Sequence, residues 1–214
     1  MKKVVIIGGG TAGWLTTLVV NKFWKDTEVT LIESSKIGIL GAGEGSTPNF
    51  GYVLTILNIN QIDFFNETNS TIKSGLHMQN WTGDNTNLYH MFTGEAPHIT
   101  DKMKNFAYHF DASLVAKFFK KVAIERGINW IDDKVSKINN LNENITSIEL
   151  KSGNIINLDL VFDCSGFARL IIGKLYNEEW ISYNKYLNID SAIAFFLPQR
   201  DNLNHESKTT TKSI

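Results

Sequence analysis

Three features that would narrow the function are scarce in this sequence. It has one cysteine, Cys164, so an internal disulfide is impossible and a reducing compartment is acceptable. Its 21 basic and 22 acidic residues nearly cancel, without the clustered basic surface that nucleic-acid binding needs. Its longest apolar runs are far shorter than a membrane span requires. These absences predict a cytoplasmic globular protein whose partners include neither nucleic acid nor a membrane.

A metal site is also not expected. The five histidines lie without the spacing of metal ligands, and Cys164 has no second cysteine beside it. The chain of 214 residues is nevertheless long enough to bury a sizeable core, as one domain or as one large and one small lobe.

The first part of the chain has the pattern of a strand, a tight turn, a helix and a second strand. Residues 3–7 are a short β-branched run that ends in glycine, and the following residues have apolar positions at helical spacing. Residues 28–33 have a continuous apolar centre, which is typical of a parallel strand buried on both faces. A β-α-β unit is therefore predicted.

Two further helices are predicted from their start and stop signals. Thr47 resembles an N-cap and Pro48 a first helical position, for a helix through about Ile59. The segment 110–127 has apolar residues at helical spacing, with Asp111 as the N-cap and Gly127 as the stop.

The remaining pattern is mostly that of strands. Residues 71–81 and 87–92 are short and rich in bulky apolar residues, which favours two strands. Residues 128–162 alternate strand runs with Asn and Gly turns, which predicts a small antiparallel meander returning to the main sheet. After about Arg200 the sequence is polar, and we expect a frayed tail.

The turn after the first strand contains a dinucleotide-binding pattern. Gly8, Gly10 and Gly13 form G-x-G-x-x-G, whose glycines permit a tight turn, close approach to a pyrophosphate and close packing of helix on strand. Glu33 ends the second strand, where a carboxylate accepts hydrogen bonds from a ribose. An acidic residue there favours FAD or NAD over NADP, because a 2′-phosphate would be repelled. The late strand at 161–167, with Asp163 at its end and a small-residue turn after it, favours FAD.

Five segments together resemble the flavin-dependent tryptophan halogenases. They are GGGTAGW at 8–14, GAGEGSTPNF at 41–50, IKSGLHMQNW at 72–81, FDASLVAKFF at 110–119 and DCSGFARLII at 163–172. Their order and spacing agree with that family. The resemblance implies an α/β fold of the Rossmann-like FAD-binding type (flavoprotein monooxygenase type) with an inserted small antiparallel sheet.

The resemblance also implies a site. Residues 41–48 (GAGEGSTP) correspond to a strap that borders the flavin, with Gly45 and Ser46 where many members have Ala and Thr. Lys73 stands where the family has an essential lysine. The expected cofactor-binding residues are Gly8, Gly10, Thr11, Ala12, Gly13, Glu33, Ala42, Gly43, Glu44, Gly45, Ser46, Asp163 and Gly166.

The implied reaction is halogenation of tryptophan or another aromatic small molecule. Reduced FAD from a separate flavin reductase, oxygen and a halide ion would supply hypohalous acid, and Lys73 would bind or capture it. A lysine between apolar walls loses hydration, which disfavours its charged form and frees the amine. The residues alone leave this open, because an extended strand would place Lys73 with polar and small neighbours, as expected of an exposed lysine.

The resemblance covers only the first part of the family's length. The family's G-W-x-W-x-I-P motif and the glutamate that works with the lysine do not occur here. We therefore expect residues 1–200 to be an incomplete FAD-binding domain and 201–214 a polar tail. We also expect the chain by itself to bind FAD weakly and not to halogenate. A non-catalytic or degenerate FAD-binding protein, a related flavin monooxygenase and an NAD-linked dehydrogenase remain alternatives.

Overall fold

The chain divides into two compact units. The computed structural model describes residues 1–39, 43–92, 106–189, 191–193, 195 and 208–212. The first unit comprises Met1–Leu40 and Ala116–Ala194, and the second comprises Gly41–Val115 and Phe195–Ile214.

The first unit is built on a four-stranded parallel sheet. Its strands are β1 (Lys2–Ile7), β2 (Thr27–Glu33), β8 (Asn129–Asp132) and β12 (Leu160–Asp163). They lie in the order β12-β1-β2-β8, so β1 is a central strand between β12 and β2. Helix α1 (Thr11–Phe23) links β1 to β2 and packs against both. The predicted β-α-β unit is confirmed.

The sheet is buried because successive residues of its central strands are apolar. All four residues from Val4 to Ile7 are at most 3% exposed. Val5, Ile7 and Ile32 pack with Ile148 and Leu150 of a small antiparallel sheet. That second sheet has the order β11-β10-β9 and consists of β9 (Val135–Leu141), β10 (Asn144–Leu150) and β11 (Ile155–Asn157). The expected inserted antiparallel sheet is therefore present.

The predicted meander began too early in the chain. Residues 129–132 form β8, which pairs in parallel with β2 in the main sheet, so the antiparallel part starts only at Val135. The reason is the helix α4 (Ala112–Glu125), which precedes β8 and makes a parallel crossover to the main sheet possible. The helix itself is confirmed, because Asp111 Oδ1 accepts from Ser113 N at 2.7 Å and Gly127 has a φ of +74°.

The described residues of the second unit include two three-stranded sheets and two short helices. One sheet is antiparallel, in the order β3-β7-β4, and the other has the order β13-β5-β6. Phe64 is fully buried and contacts Tyr108 with ring centroids 5.5 Å apart. The elements are β3 (Gly43–Gly45), α2 (Asn49–Ile56), α3 (Gln61–Glu67), β4 (Thr71–Lys73), β5 (Gly75–Gln79), β6 (Asn87–Met91), β7 (Ala107–Asp111) and β13 (Lys208–Lys212).

The helix predicted from Thr47 to about Ile59 is wrong at both ends. Helix α2 is Asn49–Ile56, Pro48 is its N-cap position, and Thr47 contributes its carbonyl oxygen rather than a capping side chain. Asn58 has a φ of +53°, which ends the helical turn. A second helix, α3, follows and was missed, although Asn60 Oδ1 caps it by accepting from Ile62 N at 2.9 Å.

The single strand predicted over 71–81 is two strands in different sheets. The chain breaks at Ser74, so β4 pairs with β7 while β5 pairs with β6 and β13. The strand predicted at 87–92 is confirmed as β6. The prediction of a frayed tail is wrong for residues 208–212. They form a strand that pairs in parallel with β5, from the pair Lys208–Gly75 to the pair Lys212–Gln79. The rest of the segment after Arg200 lies outside the described residues.

Candidate functional site

The glycine loop after β1 is tight enough that two of its glycines are required by the protein's own packing. Gly8 has a φ of +113°, and a Cβ there would lie 2.3 Å from the carbonyl oxygen of Cys164. A Cβ at Gly13 would lie 1.8 Å from the carbonyl oxygen of Gly8. Both distances are far below any real contact, so these positions bring β1, α1 and the turn after β12 together.

Gly10 differs from Gly8 and Gly13. Among the described residues, a Cβ at this position would meet only Ile39 Cγ2, at 4.0 Å, and the backbone has φ −77° and ψ −177°, which any residue adopts. Packing within the described part of the chain therefore does not require glycine at position 10. A group that approaches the loop backbone closely would require it, as the sequence pattern predicts.

The amino end of α1 is suited to an anion. Gly10 is the N-cap residue, so no side chain caps the helix, and the first turn contains no acidic residue. Thr11 and Ala12 begin the helix directly after the loop. Free N–H groups and the positive end of the helix dipole make such a terminus a phosphate-binding site.

Asp163 and Gly166 shape the turn after β12. Asp163 Oδ1 accepts from Ser165 N at 3.0 Å, and its Oδ2 accepts from Ile171 N at 2.8 Å. Gly166 has a φ of +61°, a backbone conformation that favours glycine. Cys164 N donates to Ile7 O at 2.8 Å, which ties the turn to the end of β1 and so to the glycine loop. Both Asp163 carboxylate oxygens thus accept from backbone N–H groups of the segment that follows β12, one in the turn and one in the helical segment Leu170–Leu175.

Glu33 lies at the carboxyl end of β2, beside the glycine loop. A Cβ placed on Gly9 would fall 1.5 Å from Glu33 Oε2, so the carboxylate occupies the space next to Gly9. The other oxygen, Oε1, accepts from Lys120 Nζ and from Trp130 Nε1, each at 2.9 Å. Sequence reasoning missed Lys120 and Trp130, because the polar contact arises only when α4 and β8 are brought to β2.

Lys73 is the candidate catalytic residue in the second unit, and it is buried. The residue is 7% exposed and ends β4, opposite Ala107 of β7. Its Nζ donates to the carbonyl oxygen of Ser46 at 3.1 Å and lies 5.7 Å from the centre of the Phe92 ring. Burial lowers the pKa of the Lys73 ammonium. Among the described residues, no carboxylate forms an ion pair with it.

The strap residues lie next to this lysine. Gly43, Glu44 and Gly45 form β3, antiparallel to β7. A Cβ at Gly45 would be 3.0 Å from Lys73 Nζ, so the glycine leaves room for the ammonium. Ser46 is bonded to Tyr108 twice, through Ser46 N to the Tyr108 carbonyl and through Tyr108 N to Ser46 Oγ. Ala42, another expected cofactor residue, lies outside the described residues.

The residues of the first unit fit a bound dinucleotide. The fit rests on the unfilled side of Gly10, the uncapped amino end of α1 and a carboxylate oxygen of Glu33 directed at the loop. Within the described part of the chain, no group of three or more His, Cys, Asp or Glu side chains is arranged to hold a metal ion. No helix of that part is long and apolar enough to cross a membrane.

Comparisons with known proteins identify relatives of this chain in sequence and in fold. Tryptophan 7-halogenase RebH from Lentzea aerocolonigenes is 28% identical to this chain, over 94% of this chain and 49% of its own length. A flavin-dependent halogenase from Xanthomonas campestris has a TM-score of 0.74 at 25% identity, over 84% of this chain and 45% of its own. The tryptophan halogenase from Shewanella frigidimarina has a TM-score of 0.89 at 22% identity, over 100% of this chain and 52% of its own, and shows the fold.

These matches confirm the predicted fold class, an α/β Rossmann-like fold with a parallel sheet. The chain spans about half the length of the curated relatives it matches. The family model for tryptophan halogenase matches residues 3–104 and 95–214, which together cover nearly the whole chain. The chain therefore belongs to the tryptophan halogenase family.

Proposed function

We propose that this chain supplies the FAD-binding site and the reactive lysine of an aromatic halogenase. The reaction would use reduced FAD, oxygen and a halide ion to halogenate tryptophan or another aromatic small molecule. The observation that carries the proposal is the burial of Lys73, whose side chain lies beside the strap that the family resemblance assigns to the flavin.

The glycine loop, α1 and Glu33 would hold FAD. Gly8, Gly10 and Gly13 allow a pyrophosphate to approach the backbone, Thr11 and Ala12 offer N–H groups, and Glu33 accepts from a ribose hydroxyl. Asp163 and Gly166 would act by shaping the turn after β12. When bound, reduced FAD together with oxygen supplies the oxidising equivalents that convert halide to hypohalous acid.

Lys73 would receive the hypohalous acid. Desolvation lowers the free energy needed to remove a proton from the ammonium, so a larger fraction of the amine is available at a given pH. In its charged form, the side chain donates to Ser46 O and can donate further hydrogen bonds to an incoming oxygen or halogen. The strap residues Ala42, Gly43, Glu44, Gly45 and Ser46 would border the flavin.

The proposed partners follow from this reaction. A separate flavin reductase would supply reduced FAD, and the halide and aromatic substrate would be small molecules. RebH is a tryptophan halogenase, which makes tryptophan the first substrate to test. The proposed location is the cytoplasm, because a chain with one cysteine needs no oxidising compartment for its fold.

The test combines FAD binding with turnover. The purified chain is titrated with FAD by calorimetry and then incubated with a flavin reductase, NADH, bromide and tryptophan or indole, with products measured by mass spectrometry. Lys73→Ala is compared with Lys137→Ala, which removes a lysine from the exposed part of β9.

Each outcome decides the proposal. Brominated product that is lost in Lys73→Ala and kept in Lys137→Ala supports it, and product that persists in Lys73→Ala contradicts the role of the lysine. FAD binding without product in any mixture agrees with the expectation that this chain by itself does not halogenate, so it supports the FAD site and makes a non-catalytic FAD-binding protein the better description of the chain alone. Failure to bind FAD overturns the proposal as a whole.

A further inference from the structure

The contacts of Glu33 extend beyond the residues that the cofactor pattern requires. We propose that Lys120 and Trp130 are positioning residues that hold the Glu33 carboxylate in the orientation needed to bind the adenosine ribose of FAD. The inference rests on the proposed FAD site. It adds two residues, from α4 and β8, that the glycine pattern does not contain.

The three side chains form one connected group, which we call the Glu33 clamp. Lys120 Nζ and Trp130 Nε1 both donate to Glu33 Oε1, each at 2.9 Å. Lys120 Nζ also lies 3.4 Å from the centre of the Trp130 ring, close enough for a strong cation–π contact. Each member of the clamp therefore contacts the other two.

The two oxygens of the Glu33 carboxylate have different surroundings. Both protein donors use Oε1, whereas Oε2 lies in the space beside Gly9 of the glycine loop. An ionised carboxylate offers about four lone-pair sites on two oxygens, so Oε2 retains its capacity to accept from ribose hydroxyls. The two donors therefore orient Glu33 through Oε1, and neither of them bonds to Oε2, the oxygen that faces the loop.

The sheet register explains why these residues meet. Trp130 is opposite Leu31 in the parallel pair of β8 with β2, so its side chain lies on the same face of the sheet as Glu33, two residues further along. Lys120 reaches this face from α4. Its side chain is 28% exposed and that of Glu33 is 15% exposed, so water screens the pair only in part.

Loss of either donor should weaken FAD binding substantially, because the Trp130 indole and the Lys120 ammonium together hold the Glu33 carboxylate in one orientation. Without either donor, Glu33 gains rotamers and must be ordered again when the ligand binds. We expect Lys120→Met and Trp130→Phe each to raise the Kd for FAD about tenfold, as expected for loss of a hydrogen bond to a charged group. Lys120→Arg keeps the charge and the donors and should restore most of the affinity.

The test is a double-mutant cycle on FAD binding, measured by calorimetry on the full chain. Wild type, Lys120→Met, Glu33→Gln and the double variant are compared, and thermal unfolding shows that each is folded. Lys117→Met is the matched control, because it removes the same charge from an exposed position of the same helix. If Lys120 acts through Glu33, its substitution should change the Kd about tenfold in the wild-type background and less than twofold in Glu33→Gln.

The outcomes separate this inference from the proposed function. Wild-type protein that does not bind FAD contradicts the proposed function itself. Wild-type protein that binds FAD while Lys120→Met and Trp130→Phe bind equally well contradicts only the inference. An equal loss in the Glu33→Gln background, or an equal loss in Lys117→Met, also contradicts it, because the effect would then be general electrostatics or altered folding.

Discussion

Substitution of Gly10 by alanine should weaken FAD binding while leaving the stability of the folded chain nearly unchanged. Of the residues that the structure describes, a Cβ at Gly10 would meet only Ile39 Cγ2, at an ordinary contact distance of 4.0 Å, and φ is −77°. Replacing glycine by alanine where the backbone already suits alanine stabilises a protein by about 0.4–1 kcal/mol. Gly10 is also the N-cap of α1, where alanine is less favourable than glycine by roughly 0.5–1 kcal/mol, so the two effects nearly cancel. For a chain of this size the melting temperature of Gly10→Ala should therefore stay within about 2 °C of that of wild type.

FAD binding by Gly10→Ala should nevertheless weaken. A methyl group on the loop would hold a pyrophosphate away from the N–H groups at the start of α1. Losing one hydrogen bond to a charged group reduces the binding free energy by roughly 1.5–3 kcal/mol, so the Kd should rise about tenfold to a hundredfold. Differential scanning fluorimetry and calorimetry with FAD measure the two quantities on one protein sample.

Gly13→Ala is the contrasting variant. Its Cβ would lie 1.8 Å from Gly8 O, so the loop or the helix must move and the protein itself should be destabilised. The reasoning is refuted if Gly10→Ala binds FAD as tightly as wild type, or if its melting temperature falls as far as that of Gly13→Ala.

Two further predictions concern Lys73 and Asp111. Burial lowers the pKa of Lys73 in the folded protein below its value in the unfolded chain. At pH values between these two, the unfolded chain binds more protons than the folded protein, so folding becomes more favourable as the pH rises through that range. The free energy of unfolding of Lys73→Met at pH 7 should therefore exceed that of wild type by on the order of 1 kcal/mol, and the excess should be smaller near pH 10. Urea unfolding at the two pH values measures this difference. A difference in unfolding free energy that does not change with pH would contradict this account. Asp111→Ala should lower the free energy of unfolding by about 1 kcal/mol through loss of the α4 cap, whereas Asp111→Asn should not; equal losses would show that capping is not the cause.

The parts of the fold that sequence predicted well are those whose signals are local. The β-branched run of β1, the G-x-G-x-x-G turn and the continuous apolar centre of β2 specify neighbouring elements, and all three occur as predicted. The cap of α4 is also local, because Asp111 accepts from N–H groups only two and three residues ahead. Such signals do not depend on where the rest of the chain lies.

The predictions that failed depend on distant parts of the chain. The end of α2 depends on Asn58 with a positive φ, a conformation that asparagine adopts in many turns but that sequence does not enforce. Residues 208–212 are polar, and they form a strand because the open edge of β5 provides backbone partners for them. Glu33 was identified from its position, but its two donors come from residues 87 and 97 positions away.

Lys73 shows why residue periodicity alone could not decide its burial. The alternation argument treats residues 71–81 as one strand, whereas the break at Ser74 separates β4 from β5 and gives each a different partner. The space for the lysine then comes from Gly45, where a Cβ would stand 3.0 Å from Nζ. An alanine at position 45 would require the ammonium to move by a few tenths of an ångström from its place beside Ser46 O. The position of the Lys73 ammonium is therefore set jointly by the strap and by β4, and a substitution in the strap should alter the pKa of Lys73 although the lysine itself is unchanged.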